Sequence, residues 1–250
     1  MKISLSKITK KGKALFLAYD QGLEHGPSDF NDKNVDPSYI IKIAKKGGYT
    51  GIIFQKGIAE KYHSELKKAK VPLILKLNGK TNLFKGEPIA RQLCSVKEAV
   101  KLGAVAVGYT IYIGSDYEDE MMQEFSKIEQ EAHAKGIPVI TWIYPRGKSI
   151  KGKSEKELMA YAARTGLEIG ADIIKIRYDG NLEDLTWAVK SAGKTKVVIA
   201  GGVKKDEKLL LKQVEEIMQA GCVGLAIGRN VWQSKDPLTI TRKLKKVIWG

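Results

Sequence analysis

Lys175 interrupts an otherwise apolar run, DIIKIRY, flanked by Ile173, Ile174 and Ile176. A lysine inside a buried strand is rare. Desolvation, with a cation such as Arg177 nearby, lowers the pKa of such an amine. A neutral amine can attack a carbonyl and form an imine. The other reading of the same run is a structural lysine paired with a buried carboxylate. Asp20 ends the run LFLAYD. There a carboxylate can pair with Lys175, move a proton during imine formation, or cap a loop. Tyr144 and Arg146 stand together in TWIYPRG. The phenol suits proton transfer beside a carbanion-like centre, or the edge of a core, and the guanidinium suits a phosphate. Pro145 stiffens the backbone between them, and Trp142 is expected to pack.

A second group suits an anion. Gly201 and Gly202 follow KVVIA, and Gly228 and Arg229 follow GLAI. Glycines let the backbone approach an anion with its N–H groups exposed. Two tight turns would leave the same trace. His25, in EHGPSDF, and Lys76, in PLILKL, are further candidates for phosphate. The three histidines, His25, His63 and His133, are far apart and have no carboxylate pair at ligand spacing, so no metal site is expected. His63 and His133 are expected on helix surfaces. Neither a P-loop nor a GxSxG elbow is present.

The elements that must position these residues alternate along the chain. Apolar, β-branched runs occupy Ala14–Asp20, Gly51–Gln55, Pro72–Leu77 and Ala104–Gly108, then Pro138–Ile143, Asp172–Arg177, Lys196–Ala200 and Val223–Ile227. Continuous apolar runs suit strands covered on both faces. Between them lie helical patterns, among them Pro37–Lys46 after Asp36, and Ser95–Leu102 and Ser154–Ile169. The last two open with the capping-box spacings Ser95/Glu98 and Ser154/Glu157. Helix, Gly, small residue and strand recur as LGAVAV, IGADII and AGCVGL. About eight βα units without a linker predict a single (β/α)8 TIM barrel over residues 1–250. The rival, an open doubly wound sheet, lacks its GxGxxG, because the first strand runs into DQGLEHGP.

Barrel chemistry collects at the carboxyl ends of the strands. Those ends carry Asp20, Gln55-Lys56, Lys76 with Asn78, Tyr109, Tyr144 with Arg146, Lys175 with Arg177, Gly201-Gly202 and Gly228-Arg229.

Bulk composition narrows the field. The 250 residues hold 43 Lys and Arg against 28 Asp and Glu, a net charge of +15. That balance favours acidic partners such as phosphorylated metabolites. Nucleic-acid binding has no helix-turn-helix, zinc-finger or RNP pattern behind it, and the dense runs KIAKK and KLKKVIWG read as solvated helix faces. Cys94 and Cys222 are the only cysteines, too few for a disulfide framework. No apolar run suits a membrane span, and MKISLSKITKKGKALF does not suit a signal peptide. A cytoplasmic enzyme is expected.

The segments AYDQGLEHGP, ILKLNGKTNL, TWIYPRG, DIIKIRY, IAGGV and AIGRN together resemble archaeal-type class I fructose-1,6-bisphosphate aldolases, the DhnA-type family. The resemblance runs from about residue 14 onward. It implies a metal-independent (β/α)8 lyase without a cofactor that reversibly cleaves fructose 1,6-bisphosphate, a reaction of glycolysis and gluconeogenesis. It makes Lys175 the Schiff-base residue, with Asp20 and Tyr144 catalytic and Arg146, Gly201, Gly202, Gly228 and Arg229 on the phosphates. It also implies a homo-oligomer, often pentamer-based. Members often read DHG where this chain reads DQG, with Gln21. A related branch, which makes an amino-deoxyheptulosonate, shares the lysine, aspartate and tyrosine, but EHGP and LNGKTNL look more like the aldolase side. A non-catalytic basic barrel is the third reading.

Overall fold

Each apolar run forms a strand in the computed structural model, which describes residues 3–250. The barrel strands are Ala14–Ala18, Gly51–Gln55, Leu73–Lys76, Ala104–Ile111, Val139–Ile143, Ile173–Ile176, Lys196–Ala200 and Gly224–Ile227. All eight pair in parallel and in chain order, and the first closes on the eighth through Ala14 opposite Gly224. This is the expected (β/α)8 barrel.

Helices cover the outside. The predicted caps are in place: Asp36 accepts from Ser38 N–H, Ser95 and Glu98 form a full capping box, and Ser154 accepts from Glu157 N–H. The recurring glycine after the helix has a backbone reason. Gly103, Gly170 and Gly221 adopt φ of +83°, +85° and +92°, which a side chain would strain.

Alternation along each strand divides the apolar residues into two cores. Outward residues pack under the helices. Inward residues, among them Phe16, Ile53, Ile74, Ala106, Ile140, Ile173, Val198 and Ala226, fill the barrel. Ile8, ahead of the first strand, belongs to this inner cluster and is fully buried. It plugs the end of the barrel opposite the carboxyl ends. The Trp249 indole donates to the carbonyl of Lys10 at 2.9 Å and ties the final helix to the same segment.

Two expectations change. The fourth strand runs to Ile111 instead of stopping at Gly108, so Tyr109 lies within it and faces outward, fully buried. Its hydroxyl donates to Glu124. His133 is not a free surface residue. Its Nδ1 pairs with Glu129 at 2.7 Å and its Nε2 with Asp172 at 2.8 Å, and the same Asp172 oxygen accepts from Val139 N–H. That cluster ties the helix Glu118–Ala134 to the starts of the fifth and sixth strands. His63 is exposed, as expected.

Truncating the plug leaves a hole beneath eight strands. Ile8→Ala should cost about 2–4 kcal/mol and lower the melting temperature by roughly 5–15 °C in calorimetry. A shift within error would mean that the segment is not part of the barrel core.

Candidate active site

The interior positions change character towards the carboxyl ends. Above Ile74 stands Lys76, and above Ile173 stands Lys175. Register sets Lys76 opposite Gly108 and Lys175 opposite Trp142. A Cβ on Gly108 would lie 2.2 Å from the Trp142 ring, so only glycine leaves the indole room to lie across the interior. The Lys175 ammonium is 4.8 Å from the centre of that ring and the Lys76 ammonium 5.1 Å. Both lysines are buried, at 5% and 6% exposure.

Asp20 is the carboxylate of this floor, with its Oδ2 3.9 Å from Lys76 Nζ. The Lys175 amine is held down to about 8, chiefly by burial; Asp20 opposes the shift and Lys76 reinforces it. Sequence reasoning assigned the helping cation to Arg177. The cation that acts is Lys76, from the third strand, and Lys76 therefore sits on the floor beside the amine.

Tyr144 continues the inner face of the fifth strand. Arg177 and Arg146 lie over its ring at 5.1 and 5.7 Å. Burial drives its phenol well above the ordinary tyrosine range, so it stays protonated at neutral pH and can give a proton. Arg146 also lies 5.2 Å over Tyr112, a buried residue that sequence reasoning passed over.

A cleft of about 380 Å³ opens above this floor. It is lined by all ten predicted residues: Asp20, His25, Lys76, Tyr144, Arg146, Lys175, Gly201, Gly202, Gly228 and Arg229. Gln21 lines it too, and its amide nitrogen is buried without a protein partner, as is the Trp142 indole nitrogen.

The glycine cup is organised by Asn230, which sequence reasoning missed. Its buried amide donates to the carbonyls of Gly201 and Val203 at 2.8 and 2.9 Å and accepts from Lys205 N–H at 2.8 Å. One side chain of the eighth-strand loop thus shapes the loop after the seventh. The signal was its place in AIGRN, directly after Arg229. Asn78, expected among the strand-end groups, is likewise structural. It exchanges hydrogen bonds with the backbone of Thr110 and donates to the carbonyl of Ala90.

The expected anion ligands are not free. Arg146 pairs with Glu24, a residue not singled out from sequence. Asp29 takes both Arg229, at 3.3 Å, and His25 Nδ1, at 2.6 Å.

The amine reacts in its neutral form, so imine formation should slow as pH falls below about 8. Lys76→Met removes a cation and frees Asp20 to favour the ammonium form of Lys175. The acid limb of the trapping rate with a ketone and cyanoborohydride should therefore move to higher pH. An unmoved limb would remove Lys76 from the control of the amine.

Comparison with known proteins gives the same answer at two levels. The chain is 50% identical, over 96% of its length and 91% of the relative's, to fructose-bisphosphate aldolase class 1 of Thermoproteus tenax. It is 38% identical, over 98% of its length and 83% of the relative's, to fructose-bisphosphate aldolase/6-deoxy-5-ketofructose 1-phosphate synthase of Methanocaldococcus jannaschii. Its fold matches an archaeal fructose-1,6-bisphosphate aldolase, solved with the catalytic lysine bound to the carbinolamine of the substrate. There the TM-score is 0.92, with 48% identity and 98% of each chain covered. The DeoC/LacD family of aldolases matches residues 14–234, and this chain belongs to that family.

Proposed function

We propose that this protein is a class I aldolase that reversibly cleaves fructose 1,6-bisphosphate into dihydroxyacetone phosphate and glyceraldehyde 3-phosphate through a Schiff base on Lys175. One observation carries the reading: a buried amine, held to about 8, at the floor of a cationic cleft.

In this reading the neutral Lys175 amine attacks the ketone carbon, and the carbinolamine loses water to give an iminium. The iminium withdraws electrons from the bond between its α and β carbons. As the distal hydroxyl gives up its proton, that bond breaks, the aldehyde leaves, and the electron pair becomes an enamine. A proton returned to the enamine carbon and hydrolysis of the imine release the ketone phosphate and restore the amine. Asp20 and Tyr144 are assigned to the proton movements. The phenol is protonated and so can supply a proton, and the carboxylate suits the acceptor. One phosphate is assigned to Gly201, Gly202, Gly228 and Arg229. The other is assigned to Arg146, with His25 beside it.

A homo-oligomer, pentamer-based, is part of this reading because the resemblance implies it; sedimentation velocity measures it. No helix among the described residues is long and apolar enough to cross a membrane. The two buried, unpaired cysteines suit a reducing compartment, and we assign the enzyme to the cytoplasm. Fractionation of cells checks that assignment.

Borohydride reduction with dihydroxyacetone phosphate should leave an adduct on the Lys175 peptide, and Lys175→Ala should lose both adduct and turnover. Tyr144→Phe should still trap the ketone while cleavage falls about 10²–10⁴-fold. An adduct on another lysine would sink the mechanism. The double name of the Methanocaldococcus jannaschii relative favours including a deoxyketose phosphate in the substrate panel.

A further inference from the structure

The segment after the first strand crosses the mouth of the cleft as a short helix, Gly22–His25, followed by a 3-10 turn, Gly26–Asp29. Its backbone is fixed on both sides. The carbonyl of Glu24 accepts from Asn82 N–H at 2.9 Å, and the carbonyl of Asp29 accepts from the Gln233 amide at 2.8 Å. Phe30, just beyond it, packs on Tyr19 and Trp232. From this anchored strap two carboxylates reach to opposite walls. Glu24 holds Arg146 of the fifth-strand loop, and Asp29 holds Arg229 of the eighth.

The four side chains are half-buried, between 16% and 27% exposed. Such pairs are stronger than surface ones. Seven Lys and Arg side chains line the cleft, against Asp20 and Glu24. An arginine already engaged by a carboxylate offers little to a second singly charged group. A phosphate dianion can displace the carboxylate, because it brings twice the charge to the same planar fork.

We propose that Glu24 and Asp29 are specificity-determining residues, which keep two of the cleft's three arginines, Arg146 and Arg229, in internal ion pairs so that an anion seated on either must displace a carboxylate. The proposal rests on the assignment of phosphates to Arg146 and Arg229. It selects a ligand carrying a dianion at both ends, because only that ligand breaks both pairs in one binding event. It also assists release. After cleavage each product holds one phosphate, and the freed carboxylate competes for the arginine.

Calorimetric titration with inorganic phosphate tests this without turnover. Glu24→Gln should tighten phosphate binding about ten- to hundredfold, the scale of one charge-assisted hydrogen bond. In an Arg146→Gln background the same substitution should change nothing, because its effect acts through that arginine. Asp29→Asn reads the other end independently, should either variant fold poorly. In steady-state kinetics Glu24→Gln should lower KM for the bisphosphate, with a smaller change in kcat. Unchanged or weaker phosphate binding in both single variants would overturn the proposal, since the carboxylates would then be positioning the arginines instead of competing for them. If borohydride traps nothing on Lys175, the aldolase reading falls while the phosphate titration still reports on the strap.

Discussion

Two lysines share one indole at the floor of this barrel, and most of the site follows from that crowding. Two ammonium groups cannot be buried side by side with a single carboxylate without a large desolvation cost. Here the burden is divided. Burial lowers the hold of both amines on a proton; Lys76 has Asp20 3.9 Å away to oppose the shift, and Lys175 is brought down to about 8. The Trp142 ring offers both amines a soft, water-excluding surface. That arrangement needs the indole to lie across the interior, which in turn needs Gly108 on the neighbouring strand. The nucleophile is therefore set by residues from the first, third, fourth, fifth and sixth strands. The closed parallel register brings them to one level.

Much of this is legible in the sequence. A lone charge in an apolar run marks Lys175, because strand burial makes every exception costly. Caps and glycine stops are local chemistry, so Asp36, Ser95, Ser154 and the three left-handed glycines read directly from spacing. What could not be read depends on long-range pairing. Lys76 was expected at a phosphate and Arg177 beside the amine, because chain proximity was the only measure of distance at hand. Tyr109 was placed at a strand end because the apolar run AVAVG gave way to polar residues before the strand itself stopped. The pairs Glu24–Arg146 and Asp29–Arg229 span 122 and 200 residues, and no local pattern announces them. Asn230 is the last residue of the recognised segment AIGRN, yet its work is done on a loop 25 to 29 residues earlier.

The rim and the floor solve different problems with similar residues. On the floor, charge is buried and sparsely paired, which keeps one amine reactive. On the rim, Arg146 and Arg229 are half-exposed and each held by a carboxylate, which keeps them ordered while the cleft is open. The +15 balance of the chain draws anions towards the molecule as a whole. The discrimination among them is left to a few side chains on one strap.

The plug at the opposite end has a consequence for biogenesis. The first strand starts at residue 14 and its eighth-strand partner at residue 224, so a growing chain must make about two hundred residues before that seam can form. Until then ALFLA has a bare hydrogen-bonding edge, and Ile8 has no finished interior to enter. Contacts of such sequence separation form slowly, and an unpaired apolar edge is a site for aggregation. The barrel's final closure, its plug and the Trp249–Lys10 tie thus belong to one late event. Variants that loosen this seam should reduce the yield of folded protein in the cell well before they alter the chemistry at the other end.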